Sequence, residues 1–250
     1  NETTITATAT TSNSNLDFGL WQPAALGDYV WEDLDHDGRQ NDGNSGVNGV
    51  LVTLLNSSNQ VISTTTTFSG GSANQAGYYT FTNLISGTYH VSFTLPSGYQ
   101  WTLTDVGSDI SDSDGVATGN VAVTGDYVLN AGQSITTVDQ GIWRPANLGD
   151  YVWIDDNHDG LQNELSSRGL NGVTVRLYTS SGTFISTTTT ANDAIGNPGY
   201  YTFTNLISGT YYVQFDTATL PAGYAPTTRG ATGSTDANDR DPDATGKNED

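Results

Sequence analysis

The chain has 250 residues, with 27 acidic against 7 basic side chains and a net charge of −20, a balance that repels nucleic acid and anionic lipid and favours divalent cations. Cysteine is absent, so no disulfide and no thiolate metal site can form, and no apolar run approaches the roughly 20 residues of a membrane span. Apolar residues make up 35% and glycine adds 29 positions, close to the ordinary globular fraction, so the acidity does not mark a disordered tail and the length suits one large or two ordinary domains.

Taken in order, the chain repeats itself. Asp17-Phe-Gly-Leu-Trp-Gln-Pro-Ala24 leads into Leu26-Gly-Asp-Tyr-Val-Trp31; Asp139-Gln-Gly-Ile-Trp-Arg-Pro-Ala146 leads into Leu148-Gly-Asp-Tyr-Val-Trp153. Ile62 to Thr67 returns as Ile185 to Thr190, and Gly77 to Tyr89 returns unchanged as Gly199 to Tyr211, at an offset of 122 or 123 residues throughout. Such a repeat means two copies of one folding unit. Val50, Val52 and Leu54, and again Val173, Val175 and Leu177, alternate with neighbours in the period-2 pattern of half-buried strands. Tyr89, Val91, Phe93 and Leu95 alternate with His90, Ser92 and Thr94, which places His90 toward solvent; its counterpart is Tyr212. No segment carries a 3.6-residue period. Roughly seven short strands per ~120 residues predict an all-β chain of tandem Greek-key β-sandwiches, set end to end as a rod.

The boundaries follow from the repeat. Residues 25–146 read as one complete sandwich and residues 147–250 as a second that lacks its last strands. Residues 1–24 read as terminal strands that complete a preceding or neighbouring unit. Ala244-Thr-Gly246 matches Ala117-Thr-Gly119, after which the first unit continues to Trp143. The expected partner is therefore the chain itself, joined head to tail, either as one covalent array or by donor-strand complementation through residues 1–20. Between units stand Trp21 with Pro23 and Trp143 with Pro145, with no flexible linker. They predict a stiff, packed junction, unless the two tryptophans simply belong to the cores.

Each Leu-Gly-Asp-Tyr-Val-Trp strand runs straight into an acidic loop. Asp33, Asp35 and Asp37 fall at positions 1, 3 and 5, Gly38 at 6, and the Arg39 carbonyl at 7. Asp155, Asn157 and Asp159, then Gly160 and the Leu161 carbonyl, repeat the order. Oxygen donors at alternate positions before a glycine turn form the front half of a calcium loop. Magnesium prefers to keep its water, and zinc prefers nitrogen or sulfur. The bidentate Glu of an EF-hand at position 12 is replaced by Asn44 and Ser166. The nearest substitutes are Asp42 and Glu164, which points to modest affinity; read without an ion, the same segments are Asx-turn loops. His36 and His158, at position 4, point away from the metal. A second acidic cluster pairs Asp112 with Asp114 in the first unit and Asp239 with Asp241 in the second; a further calcium there would quiet an otherwise self-repelling loop, and without an ion the same segments are solvated acidic loops.

Leu-Gly-Asp-Tyr-Val-Trp, then Asp-x-[Asp/Asn]-x-Asp-Gly-x-Gln, Gly-[Val/Leu]-Asn-Gly-Val, Gly-Tyr-Tyr-x-Phe-x-Asn-Leu and the closing Asp-x-Gly-[Leu/Ile]-Trp-x-Pro-Ala together resemble the B-type repeats of bacterial Ser-Asp-repeat surface proteins. The resemblance covers nearly the whole chain. It implies a prealbumin-like, collagen-adhesin-B-type sandwich, calcium on the Asp loops and a spacer role at the cell surface; the family's loop-closing Glu is the residue missing here. Related pilin-like domains lock themselves with Lys–Asn isopeptide bonds. The only lysine is Lys247, so the first unit cannot form one. The expected function is a calcium-stiffened structural subunit of an extracellular stalk or filament, without nucleic acid and without membrane insertion. The alternative is an adhesin or carbohydrate-binding module, with a host or matrix ligand at exposed Tyr and Trp101. No enzyme is expected: no nucleophile–His–acid set recurs, and Asp-x-Asp spacing suits a metal better than a glycosidase carboxylate pair.

Overall fold

The computed structural model describes residues 17–228, and apart from two short 3-10 turns its regular structure is all β. The first unit contains β1 (Ala24–Glu32), β2 (Leu51–Asn56), β3 (Val61–Thr66), β4 (Phe68–Gly70), β5 (Gln75–Leu84), β6 (Gly87–Thr94), β7 (Gln100–Trp101), β8 (Val116–Thr118), β9 (Val121–Val123), β10 (Tyr127–Leu129), β11 (Ser134–Ile135) and β12 (Gln140–Trp143). One sheet is ordered β4-β5-β1-β12-β7, with β11 also on β1; the other is ordered β3-β2-β6-β9-β8, with β10 also on β6. Valine, threonine and aromatic residues fill these strands because their branched or flat side chains pack on a pleated surface.

The core lies between the two sheets. Val50, Val52 and Leu54 are buried, while Leu51 between them is 42% exposed, so the period-2 reading held residue by residue. Tyr79 and Phe93 cross the core edge to face, with ring centroids 5.6 Å apart, and the Tyr79 hydroxyl donates to the Val138 carbonyl at 2.7 Å. Each buried Val, Leu or Phe contributes about 1.5–3 kcal/mol by leaving water, and this cluster of fifteen buried residues is what makes the unit rigid enough to hold loops in place.

The second unit repeats the plan with β13 (Ala146–Tyr151), β14 (Thr174–Thr179), β15 (Phe184–Thr189), β16 (Tyr200–Leu206) and β17 (Tyr211–Phe215). β13 pairs with β16, and β15, β14 and β17 form the other sheet. The registers match: Leu26 faces Phe81 and Leu148 faces Phe203, with the same bulge just before each. The difference lies on the other side of the first strand. β1 is also flanked by β11 and β12, both parallel to it; among the described residues β13 pairs with β16 alone.

Three expectations meet the structure here. His90 does not face solvent: it is 6% exposed, held between Asp126 at 3.2 Å and the Asn59 side-chain oxygen at 2.9 Å. It does sit on the face opposite Val91, but the β2–β3 turn and the approach to β10 cover that face. Trp143 is buried within the first unit, its indole N–H donating to the Trp101 carbonyl at 3.2 Å, whereas Trp21 is 58% exposed. Only Arg144 and Pro145 separate β12 from β13, and Arg144 is clamped back onto Glu32 of β1 by two hydrogen bonds of 2.7 Å. Across the units, the Gln100 amide donates to Asn205 at 3.0 Å. The expected strands over residues 1–16 lie outside the described residues, and residues 17–23 form no strand.

Candidate metal centre

β1 delivers the first acidic loop directly. The Asp33 N–H donates to the Ile142 carbonyl of β12 at 2.8 Å, which fixes the loop's origin against the sheet. Asp33 is 1% exposed. One of its oxygens accepts from the Asp37 N–H at 3.2 Å, the other from the Gly38 N–H at 2.8 Å and from the Thr102 hydroxyl. Asp35 also accepts from the Asp37 N–H, and Asp37 accepts from the Arg39 N–H at 2.8 Å and from the Asn41 amide at 3.0 Å. Gly38 turns the chain at φ +80°, and a Cβ there would come within 2.9 Å of the Leu103 side chain, so both the turn and the close approach require glycine.

As a result Asp33, Asp35 and Asp37 bring carboxylate oxygens within 4.8 Å of one another. Like charges at that distance repel by about 1 kcal/mol per pair in water, and by more on the buried Asp33 side. Asp42 stands at the same mouth, accepting the Leu34 N–H at 3.0 Å. Burial raises its carboxyl; the Leu34 N–H opposes the rise, and the charges of Asp35, Asp33 and Asp37 add to it. Three carboxylates converge, and Asp42 is tied to the loop backbone beside them. The Arg39 carbonyl accepts the Asn41 N–H at 2.9 Å and keeps its second lone pair. An all-oxygen set without nitrogen or sulfur fits calcium, which takes six to eight such ligands in flexible geometry.

The second loop reproduces this with fewer charges. Asp155 accepts from the Gly160 N–H at 2.9 Å, from the Asp159 N–H at 3.3 Å and from the Thr227 hydroxyl. Burial raises its carboxyl, but the Thr227, Gly160, His158 and Asp159 donors outweigh it and hold the group below the usual range. Asn157 accepts the Asp159 N–H at 3.0 Å as Asp35 accepts that of Asp37. Asp159 is held low by the Leu161 N–H first, then by Asn163. Glu164 takes the place of Asp42: one oxygen accepts the Asp156 N–H at 3.1 Å, and the other is buried without a partner. The Leu161 carbonyl accepts from Asn163 at 3.0 Å, as the Arg39 carbonyl does from Asn41.

The two histidines differ. Both occupy left-handed backbone, at φ +57° and +59°, which turns their rings off the loop. His158 is exposed, as expected. His36 is half-buried and lies against the Trp143 indole, with ring centroids 4.6 Å apart, so β12 roofs the first loop. Thr102 and Thr227 were missed at the sequence level, although Gly-Tyr-x-x-Thr recurs at Gly98–Thr102 and Gly223–Thr227 and so carried a signal. Trp101 packs partly buried against the core and donates its indole N–H to the Gly119 carbonyl at 2.9 Å; it is not a presented platform.

The second acidic cluster divides. Asp112 is buried and accepts the Gly107 N–H at 2.8 Å, while its backbone bridges to Arg39. Asp114 instead accepts the Asp139 N–H at 2.6 Å. Burial, opposed by that bond and reinforced by Asp109, pushes the Asp114 carboxyl up to about 7. Two further acids went unread. Burial pushes Asp28 up to about 6. It pushes Asp139 up to about 9, with the Asp28 charge adding, the Tyr29 N–H opposing, and Asp114 and Asp112 adding again. Asp239 and Asp241 lie outside the described residues.

Paired sandwiches, each carrying an acidic oxygen loop at the exit of its first strand, define the class: repeat domains of bacterial cell-surface proteins. The chain belongs to the SdrD B-like domain family, whose model matches residues 24–142 and 146–250. It is 38% identical over 250 residues to serine-aspartate repeat-containing protein F of Staphylococcus epidermidis, covering 98% of this chain and 14% of that protein. To serine-aspartate repeat-containing protein D of Staphylococcus aureus it is 39% identical over 238 residues, covering 94% of this chain and 16% of the relative. The chain thus spans a small part of these relatives. Among solved structures it is similar to the Bacillus anthracis TIE protein (TM-score 0.36, 17% identity, 78% of this chain and 29% of that one). It is also similar to a double mutant of the shaft pilin SpaA from Lactobacillus rhamnosus GG (TM-score 0.29, 15% identity, 82% and 90%). Among the described residues no helix is long and apolar enough to cross a membrane.

Proposed function

We propose that the chain is a structural segment of a cell-surface stalk or fibre, in which calcium bound by the Asp33 and Asp155 loops stiffens each sandwich. The observation that carries this is the convergence of Asp33, Asp35 and Asp37 oxygens within 4.8 Å, with Asp42 tied across the mouth. Asp33, Asp35, Asp37, Asp42 and the Arg39 carbonyl would hold the first ion; Asp155, Asn157, Asp159, Glu164 and the Leu161 carbonyl would hold the second. Asp112 with Asp114, and Asp239 with Asp241, supply further acidic oxygens. The role is mechanical, not catalytic.

Units succeed one another head to tail and form a rod. Residues 17–23 repeat the Asp-x-Gly-x-Trp-x-Pro pattern of 139–145, whose strand β12 lies beside β1, so the motif that closes one unit also precedes the next. Small-angle X-ray scattering on the chain in millimolar calcium and in chelator tests the mechanical reading. An extended particle that becomes shorter or more flexible on chelation is expected; identical scattering curves would refute it.

A further inference from the structure

We propose that residues 17–21 of one copy of the chain lie as a parallel strand beside β13 of another copy, in the place that β12 takes beside β1. The inference rests on the head-to-tail reading above and names the contact that joins successive chains. Leu26-Gly-Asp-Tyr-Val-Trp31 and Leu148-Gly-Asp-Tyr-Val-Trp153 are the same six residues, yet they are buried unequally. In the first unit Leu26, Gly27 and Val30 are buried and Trp31 is 1% exposed. In the second, Gly149 is exposed and Leu148, Val152 and Trp153 are only half-buried. The cause is a missing flank: β11 and β12 cover one side of β1, and among the described residues β13 has no strand on that side. An open edge beside a half-covered core is a template for an added strand.

The occupant is written in the same sequence. The pattern Asp-x-Gly-x-Trp-x-Pro occurs at 139–145 and at 17–23 and nowhere else in the 250 residues. At the first place it supplies β12, with Gln140, Gly141, Ile142 and Trp143 all buried. At the second it forms no strand, and Phe18, Leu20 and Trp21 are 82%, 84% and 58% exposed. Three large apolar side chains in a row are left in water, and pairing with β13 removes that cost.

The register follows from β12. Gln140, Gly141 and Ile142 face Val30, Trp31 and Glu32, so Phe18, Gly19 and Leu20 then face Val152, Trp153 and Ile154. The middle position requires glycine, since a Cβ on Gly141 would come within 2.3 Å of Thr102 and 2.8 Å of the Trp31 ring. Thr227 and Trp153 hold the same two places in the second unit, and a Cβ on Gly19 would meet nothing within 4 Å in its own chain. Trp21 takes the part of Trp143 and covers the exposed His158, as Trp143 covers His36. The one ion pair is replaced on both sides at once. Arg144 holds Glu32 at 2.7 Å, whereas their counterparts are Gln22 and Ile154, so the added strand brings no unpaired arginine to β13. Residues 17–23 run into β1 as 139–145 run into β13, so the joint between chains copies the joint already present within one. Such a heterologous contact propagates as a filament or closes as a ring.

Sedimentation velocity of the whole chain over rising concentration tests the contact. The wild type is expected to form a concentration-dependent series of oligomers. Trp21→Glu, at a side chain exposed in the single chain, is expected to keep the wild-type melting curve and to weaken association by about thirtyfold, the loss typical of a central anchoring Trp. Ile154→Glu should weaken association too, and adding Gln22→Arg should restore it by rebuilding between chains the pair that Glu32 and Arg144 make within one. A wild type that stays monomeric at every concentration, association undiminished in Trp21→Glu, or no recovery in the Ile154→Glu/Gln22→Arg pair overturns the proposal. A monomer whose X-ray scattering still changes on chelation overturns this contact alone and leaves the mechanical reading standing. Oligomers whose scattering is the same in calcium and in chelator refute the calcium reading and leave this contact standing.

Discussion

The Asp33 and Asp155 loops begin from the same hexapeptide and end in different surroundings. The first gathers three carboxylates within 4.8 Å with Asp42 bound beside them, buries Asp33 to 1% exposure and is roofed by Trp143 over His36. The second carries Asp155, Asn157, Asp159 and Glu164 without gathering three acids as closely, leaves Asp155 half-buried, and turns the extra acid Asp156 outward to Arg168. Ligand charge and rigidity set calcium affinity in such loops, and the first leads on both. One sequence motif can therefore yield two grades of site, because the grade is decided by what packs behind the motif.

The largest effect expected from breaking this difference is at Asp33 itself. Asp33→Ala leaves the Gly38 N–H and the Thr102 hydroxyl without their acceptor, at about 1–3 kcal/mol for each group that stays buried, while the Asp37 N–H keeps Asp35. In calcium-free calorimetry the first unit's transition should fall by about 3 kcal/mol, and Asp155→Ala, more open to water, should lower the second by less; equal losses would erase the asymmetry. Trp143→Ala comes next. Removing a buried indole costs about 3–5 kcal/mol at full burial, and somewhat less is expected for this partly roofing ring. It should weaken calcium at the Asp33 loop while leaving the second loop's affinity unchanged by isothermal titration; weakening of both would place Trp143 at the junction instead.

How far these sites could be read from sequence differs from one residue to the next. The alternation that buries Val50, Val52 and Leu54, the loop positions of Asp33 to Gly38 and the identical registers of β5 and β16 were all legible, because each is local or repeated. His90 was misread because period 2 tells which face a side chain takes and not what covers that face; Asn59 arrives from the β2–β3 turn and Asp126 from the segment before β10. Asp28 was legible in principle, lying between Leu26 and Val30 on the inward face, but an acid in so acidic a sequence invites an exposed reading. Asp139 was not legible, since its burial depends on β12 lying parallel to β1, a contact more than a hundred positions away.

Smaller changes should narrow the gap. Asn157→Asp gives the second loop its fourth carboxylate and should tighten its calcium binding by about tenfold, or ~1.4 kcal/mol, measured by titration; no gain would mean that charge count is not what separates the loops. The smallest effect concerns acid. Asp193 is held down to about 2 by the Tyr151 hydroxyl first, and by Asn197 and Ile195 donors, whereas Tyr29 meets the Gly70 carbonyl at that place. A carboxyl lowered by folding contributes stability above its unfolded value of about 3.8 that is lost as pH falls toward 2. In chelator, the second unit's transition should therefore drop over that window, and Asp193→Asn should remove that component of the drop. An unaltered acid profile in the variant would show that Asp193 contributes nothing there.

Differential scanning calorimetry of the whole chain in millimolar calcium and in excess chelator bears most directly on the calcium-stiffened sandwich. With calcium at about a hundred times its dissociation constant, binding adds about 2.7 kcal/mol, which for a domain of this size moves a midpoint by roughly 10 °C. Both transitions should fall on chelation, the first unit's by more than the second's. Melting curves that superimpose in calcium and in chelator would contradict the account.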